Sequence, residues 1–298
     1  MEHLESKPTL PARVVVLGAT GFVGQDLIMR LQSRGIEVLP LSSREIDLAK
    51  PEATEKLKNL VRDRDSLVIV SALTPDKGKD VATLVRNLSM VQNVAAFLEE
   101  TQCAHVVYIS SDAVYADDAN PVRETSCCDP SSFHGLMHLV RERVLAAAVQ
   151  KQGTPLMILR PTAIYGAADT HNSYGPNRFL RTALKNREIK LFGMGEEKRD
   201  HLCIKDLSEI TLLSLERRSQ GVLNVATGES VSFFDLAEMI KALCGNETRI
   251  EGSPRANPVT HRHFEISALY KGFPEFRFTM LADGLTESFA IMKRSLVG

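Results

Sequence analysis

The chain has 298 residues, 44% of them hydrophobic, so it can bury a large core and suits one large α/β domain with a smaller C-terminal lobe. Its net charge of −1 argues against a nucleic-acid or membrane-surface partner held by bulk electrostatics. No apolar run is expected to reach the roughly 20 residues that a bilayer span needs, so no membrane partner is expected. Residues 1–10 are polar and read as a loose tail, not a signal peptide. The five cysteines show no paired spacing, and adjacent Cys127 and Cys128 suit no ordinary disulfide, so a reducing, cytoplasmic setting is expected.

Residues 14–17 are an unbroken apolar run, read as a buried parallel strand. Gly18, Gly21 and Gly24 follow, and an amphipathic run starts at Phe22 and Val23 and continues through Leu27, Ile28 and Leu31. Strand, glycine turn and helix in that order place a pyrophosphate on a helix N-terminus. A dinucleotide is therefore expected at Gly18, Thr20, Gly21, Phe22, Val23 and Gly24. Gly18 would allow the turn, Gly21 the approach of backbone to phosphate, and Gly24 the packing of helix on strand. The spacing is G-x-x-G-x-x-G, not the G-x-G-x-x-G of ordinary dehydrogenases.

A second strand is expected over 36–41, and a helix over 51–61 with Pro51 in its first turn. A strand over 67–70 and a long amphipathic helix over 81–99 come next. A strand over 105–110, a helix over 133–149 and a strand over 156–159, closed by Arg160 and Pro161, complete the alternation. Buried apolar strands between amphipathic helices imply an α/β fold with a Rossmann-type, doubly wound parallel sheet. After about residue 165 the rhythm changes. A polar loop over 166–177 leads to a helix from 178, strands over 189–192 and near Leu202, and helices over 205–215, 233–243 and 283–292. The chain is accordingly divided into a dinucleotide-binding domain, 11–165, and a mainly substrate-binding C-terminal α/β lobe, 166–298, some segments of which return to the first domain. Ligands in such folds bind in the crevice between the two.

Several motifs then fall in register. They are the glycine motif, Tyr108-Ile109-Ser110-Ser111-Asp112-Ala113-Val114-Tyr115, Leu159-Arg160-Pro161-Thr162-Ala163-Ile164-Tyr165-Gly166, Lys198-Arg199-Asp200 and Leu223-Asn224-Val225-Ala226-Thr227-Gly228. With these the chain resembles an extended short-chain dehydrogenase/reductase of the nucleotide-sugar epimerase/dehydratase kind, over about residues 13–296. The resemblance implies NAD or NADP as cofactor, a nucleotide-diphosphate sugar as substrate, and a homodimer built on the helices over 81–99 and 133–149. It implies cofactor contacts from Ser42, Ser43 and Arg44 at the end of the second strand and from Asp47 and Leu48 at the adenine. Ser71, Ala72 and Leu73 would lie beneath the cofactor, with Asn87 and Pro161 beside them. A serine and an arginine at 42–44, in place of a carboxylate, favour NADP over NAD.

At the catalytic end the resemblance assigns Ser111 to a sugar hydroxyl or carbonyl, and Asp112 to the acid of the related dehydratases. Their next residue is glutamate; here it is Ala113, which argues against dehydration. The family's Tyr-x-x-x-Lys is replaced by His134 and His138. A phenol with a pKa near 10 needs a nearby ammonium to act at neutral pH, whereas an imidazole near 6.5 does not. His134 could take a proton from a sugar hydroxyl, and His138, one turn on, could bond the nicotinamide ribose. The resemblance also places His171, Asn172 and Tyr174 at the sugar, with His171 as a possible second acid/base. Asn177, Arg199 and Arg262 fall at the diphosphate, and Phe192 and Gly193 at the base. Zinc is not expected, because the pair of histidines lacks the H-E-x-x-H glutamate and Cys127 and Cys128 sit adjacent in a loop. Two readings stand: an epimerase or reductase with an altered catalytic site, or a non-catalytic NAD(P)-binding sensor or scaffold. Asn177, Arg199 and Arg262 in register favour the enzyme.

Overall fold

The chain runs through β1 (Glu2–His3), β2 (Arg13–Leu17), α1 (Phe22–Ser33), β3 (Glu37–Leu41), α2 (Ala53–Leu60), β4 (Asp65–Ile69), α3 (Val81–Glu100), β5 (His105–Ile109), α4 (Phe133–Gln150) and β6 (Leu156–Pro161). A short 3-10 turn, Asp112–Val114, lies between β5 and α4. There follow β7 (Ala163–Tyr165), α5 (Pro176–Asn186), β8 (Glu188–Phe192), β9 (Lys198–Cys203), α6 (Ile204–Glu216), β10 (Ser219–Val225), β11 (Ser230–Ser232), α7 (Phe233–Cys244), β12 (Arg249–Ser253), α8 (Ser267–Gly272) and α9 (Leu281–Val297). These elements come from a computed structural model that describes residues 1–245, 247–255 and 258–297.

The main sheet has seven strands in the order β1-β10-β6-β5-β4-β2-β3, all parallel except β1. Every residue of β2, β4 and β5 is buried, because helices cover both faces. On one face α2, α3 and α4 close a core through Leu57, Val91, Phe97, Leu98 and Leu145. On the other, α1, α6 and α8 close a second through Leu27, Leu31, Leu207, Ile210 and Leu269. From β2 the chain moves out to β3 and returns on the other side of β2 as β4. That reversal opens a crevice at the carboxyl ends of β2 and β4. A third core joins α5, α7, α9, β8 and β9 around Phe179, Leu180, Phe233 and Leu236.

Several expectations change. The first residues are not a loose tail: β1 pairs antiparallel with β10, and His3 lies within 2.8 Å of the Ser219 hydroxyl and 2.9 Å of the Gly272 carbonyl. α2 begins at Ala53, leaving Pro51 in the turn before it, and α5 begins at Pro176 instead of 178, where the missing proline N–H has no helical partner to lose. α3, with a mean hydropathy of 1.2, is long and apolar enough to cross a membrane by length and composition, contrary to the reading of the sequence. Its apolar side instead packs Val91, Val94, Phe97 and Leu98 into the core beneath the sheet. Residues 223–225, read only as motif, end β10, and residues 230–232, which the sequence reading left unassigned, form β11.

Candidate active site

The glycine turn lies at the carboxyl end of β2. Gly18, at φ +100°, and Ala19 donate their N–H groups to the Leu41 carbonyl at 2.9 and 3.2 Å, tying the turn to the end of β3. α1 packs onto the turn so closely that a Cβ on Gly24 would lie 2.3 Å from the Gly18 oxygen. The helix is capped by Gly21, and among the described residues no side chain takes its first N–H groups, so they stay open to an anion. Thr20 is exposed and accepts Gln25 through its carbonyl. Phe22 lies against Gly166, and Val23 is half-buried beside it. On the β4 side the Ser71 hydroxyl is buried without a partner among the described residues. Uncapped N–H groups, a glycine floor and an orphaned hydroxyl fit a dinucleotide.

At the end of β3 the Ser42 hydroxyl and N–H both donate to Glu45, at 2.5 and 2.8 Å, and these bonds hold the Glu45 carboxyl below its ordinary range. Ser42 is therefore not free, as the sequence suggested, while Ser43 and Arg44 are exposed. Asp47 accepts the Ala49 N–H at 3.1 Å and lies 3.8 Å from Arg86. The Leu48 side chain is in the core, so only its backbone faces outward chemistry, and its carbonyl accepts Asn93 at 2.8 Å. Asn87 is a brace: its amide accepts the Leu73 N–H at 2.8 Å and donates to the Leu73 carbonyl at 3.0 Å, fixing the strand end that continues from Ser71 and Ala72. Pro161 is buried at the end of β6.

Gly135 brings the start of α4, which carries His134, against the 3-10 turn that follows Ser111. A Cβ there would stand 2.0 Å from the Ala113 oxygen, so α4 meets the 3-10 turn at van der Waals contact only because residue 135 has no side chain. The Ser111 hydroxyl accepts the Ala113 N–H at 3.1 Å and points its proton toward Asp112 at 3.4 Å. Burial pushes the Asp112 carboxyl up, against the pull of Arg262, which donates to its carboxylate at 3.4 Å and to the Asp112 and Ala116 carbonyls at 3.2 and 2.9 Å. His134 and His138 stand edge to face, ring centroids 4.7 Å apart. Burial pushes His134 down to about 4, with the charge of His171 adding to the effect. At neutral pH a proton placed on His134 alone would cost about 4 kcal/mol at ~1.4 kcal/mol per unit. Burial likewise holds His138 well below the imidazole range. His138 Nδ1 is 2.7 Å from the Tyr108 hydroxyl; with the phenol as donor, the ring hydrogen lies on Nε2. Beneath them Arg141, fully buried, lies 5.3 Å over the Tyr108 ring and donates to the Ser71 carbonyl at 2.8 Å.

The loop over 166–175 closes the far side. His171 Nδ1 is 2.8 Å from Asp76. Asn172 takes a left-handed turn at φ 52° and accepts Arg181 at 3.1 Å. Two expected ligand contacts are occupied within the protein. Tyr174 packs between Phe179, Phe192 and Phe233, and its hydroxyl accepts the Phe192 N–H at 2.9 Å, because an aromatic ring at this depth joins the third core. Asn177 is buried and divides its amide between the Gly166 N–H, 3.1 Å, and Asp169, 2.7 Å. Arg199 donates to the Thr260 carbonyl and hydroxyl at 2.6 and 2.9 Å, and burial, opposed by Glu197 and aided by the charge of Arg262, lowers its pKa. Phe192 is exposed beside Gly193. A cavity of about 440 Å³ opens between Leu73, Asn87, Ser132, Phe133, His134 and Met137. Among the described residues no cluster of three or more His, Cys, Asp or Glu is placed to hold a metal ion.

Sequence reasoning missed Glu45, Asp76, Tyr108, Gly135 and Arg141. Only Gly135 carried a signal, as a glycine in the first turn of a helix, where it is otherwise unfavourable. The others act through partners far along the chain.

A model of the NAD dependent epimerase/dehydratase family matches residues 14–226. The chain is 25% identical over 278 residues to a dTDP-4-dehydro-6-deoxy-D-allose reductase of Streptomyces bikiniensis, covering 81% of this chain and 84% of that one. In structure it is similar to MoeE5 in complex with UDP-glucose and NAD, at a TM-score of 0.81 and 24% identity over 95% of this chain and 99% of that one. It is also similar to a UDP-N-acetylglucosamine 4-epimerase from Methanobrevibacter ruminantium, at a TM-score of 0.83 and 22% identity over 97% and 100% of the two chains.

Proposed function

The chain belongs to the NAD-dependent epimerase/dehydratase family, and from that premise we propose that it epimerises or reduces a nucleotide-diphosphate sugar at a carbon held between Ser111 and His134. The observation that carries this reading is one cluster: Ser111, Asp112 and His134 gathered at the carboxyl end of the sheet, with the guanidinium groups of Arg262 and Arg199 beside them. Two cations in each other's field favour an anion between them, as a sugar diphosphate would supply. The relative that reduces a dTDP-sugar, and the neighbours bound to UDP-glucose or UDP-N-acetylmuramic acid, support the same substrate class.

Residues 11–165 would hold the dinucleotide and 166–298 mainly the sugar nucleotide. The bound dinucleotide supplies the acceptor or donor of hydride. The open N–H groups of α1 would hold its pyrophosphate, and Asn87 holds Leu73 in place at the strand end beside that site. Ser111 orients the reacting hydroxyl or carbonyl. His134, held neutral, would hydrogen-bond the same oxygen, and His138 would donate from Nε2 to the ribose as the family's lysine does. Arg44, exposed and without a side-chain partner among the described residues, would suit NADP. The donors that would receive a 2′-phosphate, the Ser42 N–H and hydroxyl, however, already hold the Glu45 carboxylate. We read this pocket as built for NAD. We also place the protein in the cytoplasm as a homodimer. The groove between α3 and α4, lined by Leu88, Val91, Ala95 and Val144, would be the pairing surface.

The test is His134→Phe. Turnover should be lost while dinucleotide affinity stays within about twofold, and full activity in the variant would remove His134 from the mechanism. The sensor or scaffold reading draws on the loss of both tyrosine and lysine and on the burial of His138. A melting-point rise with dinucleotide, and none on addition of UDP, dTDP, GDP or CDP, would favour it.

A further inference from the structure

We propose that Asp76 and His171 form an oriented carboxylate–imidazole pair that exchanges the proton of the reacting sugar hydroxyl. This deepens the nucleotide-sugar reading and rests on it. A carboxylate only accepts, so the 2.8 Å contact fixes the hydrogen of His171 on Nδ1 and leaves the lone pair on Nε2. Among the described residues Nε2 has no hydrogen-bond partner, and the imidazole is half-buried, with its side chain 32% exposed. Burial pushes the other two imidazoles of the cleft, His134 and His138, down, and Tyr108 occupies one nitrogen of His138. The turn that carries Asp76 lines the same cavity as His134, through Pro75, Gly78 and Lys79.

Both halves of the pair are held from behind. Asp169 accepts the His171 N–H at 2.9 Å and is itself gripped by Asn177 and, through its carbonyl, by Arg181. Asp76 sits in a turn closed by the Lys77 N–H on the Thr74 carbonyl and takes the Thr74 hydroxyl at 2.5 Å and the Lys77 ammonium at 3.1 Å. Burial pushes the Asp76 carboxyl up, but these bonds outweigh it and hold it at about 2, so the carboxylate stays charged at neutral pH. The occupied amide of Asn177 thereby gains a purpose: it positions the loop that carries His171. The charged and titratable groups around the imidazole are Asp76 and Lys77 from the turn, His134 from α4, Asp169 from its own loop and Arg181 from α5.

In the oxidising direction the hydroxyl O–H bond breaks and its proton passes to Nε2, giving an imidazolium held by Asp76. The C–H electron pair leaves as hydride to an oxidised nicotinamide, and the carbonyl forms. Reduction runs the same exchange backwards. His134 orients the hydroxyl, and His171 holds its proton.

The experiment compares wild type, His171→Gln, His171→Ala and Asp76→Asn in NAD-loaded protein with a nucleotide sugar the wild type converts. His171→Gln should lower kcat by about 100-fold with KM changed less than threefold. His171→Ala should regain activity with added imidazole, and Asp76→Asn should move the acidic midpoint of the kcat profile to lower pH. Imidazole nitrogen spectra of the wild type should show hydrogen on Nδ1 of His171. A raised KM with kcat and pH profile unchanged and no imidazole rescue would reduce the pair to a clasp between loops and overturn the proposal. Hydrogen on Nε2 would overturn it too. A wild type that converts no nucleotide sugar would instead remove the functional reading, and this proposal with it.

Discussion

Two glycines in one turn should respond differently to the same methyl group. In Gly24→Ala the new Cβ meets backbone on all sides: the Gly18 oxygen at 2.3 Å, the Gly18 carbon at 3.0 Å and the Ala19 Cα at 3.1 Å. None of these can rotate away, so α1 must move off the turn by about 1 Å, at the roughly 1–3 kcal/mol typical of overpacking. The displaced N–H groups lose their aim at the pyrophosphate, and each 1.4 kcal/mol lost is about tenfold in affinity. In Gly21→Ala the nearest atom is the Gly18 oxygen at 3.4 Å, an ordinary contact. That protein should fold with an unchanged melting point, yet bind NAD at least about tenfold more weakly, because the methyl group occupies the approach of the phosphates. Thermal melts of the cofactor-free proteins and calorimetric titration with NAD separate the two effects. If Gly21→Ala binds NAD within twofold of wild type, the pyrophosphate does not cross this glycine and the assignment of the turn is wrong.

Other expectations are as direct. Arg160 and Glu142 form a buried pair at 2.6 Å, their side chains 6% and 4% exposed, so Arg160→Met leaves an uncompensated carboxylate and should cost about 3–5 kcal/mol in denaturant unfolding; a loss below about 1 kcal/mol would contradict the account. Glu45→Gln should shift relative affinity from NAD toward NADP by about tenfold, since it removes a charge from the donors on Ser42; an unchanged ratio of dissociation constants would mean that Glu45 does not set cofactor choice. Burial pushes His105 and His134 down to about 4 and His201 to about 3, and holds His138 well below its usual range. The unfolded chain therefore binds more protons on these groups. Their stabilisation is full above pH 6.5 and is lost as pH falls toward 4 and 3. Asp200, pushed up to about 6 by burial, and Asp112 and Asp206, which burial also pushes up, work the other way, but four imidazoles outweigh them. The melting temperature should fall steadily from pH 7 to 4.5, and a flat profile would refute the buried neutral histidines.

The strands 14–17 and 105–109 were legible because both sheet faces are covered, which demands unbroken apolar runs. The glycine turn was legible because its chemistry is local, confined to residues 18–24. What stayed hidden depends on partners distant in sequence. Nothing near His171 announces Asp76, 95 residues earlier. Tyr174 and Asn177 look like ligand contacts as a polar run, but one ring faces the third core and one amide bridges Gly166 and Asp169. Residues 1–10 are polar enough for a tail, yet the open edge of β10 offers backbone partners that polarity does not disclose.

The measurement that tests the central claim most directly is product analysis of the NAD-loaded protein with a panel of UDP-, dTDP-, GDP- and CDP-sugars, with and without reduced dinucleotide. The account predicts that one nucleotide sugar is epimerised, or is reduced when reduced dinucleotide is present, and that His134→Phe abolishes the conversion. Tight binding of a nucleotide sugar with no product under either condition would contradict a working active site and leave a binding protein in its place.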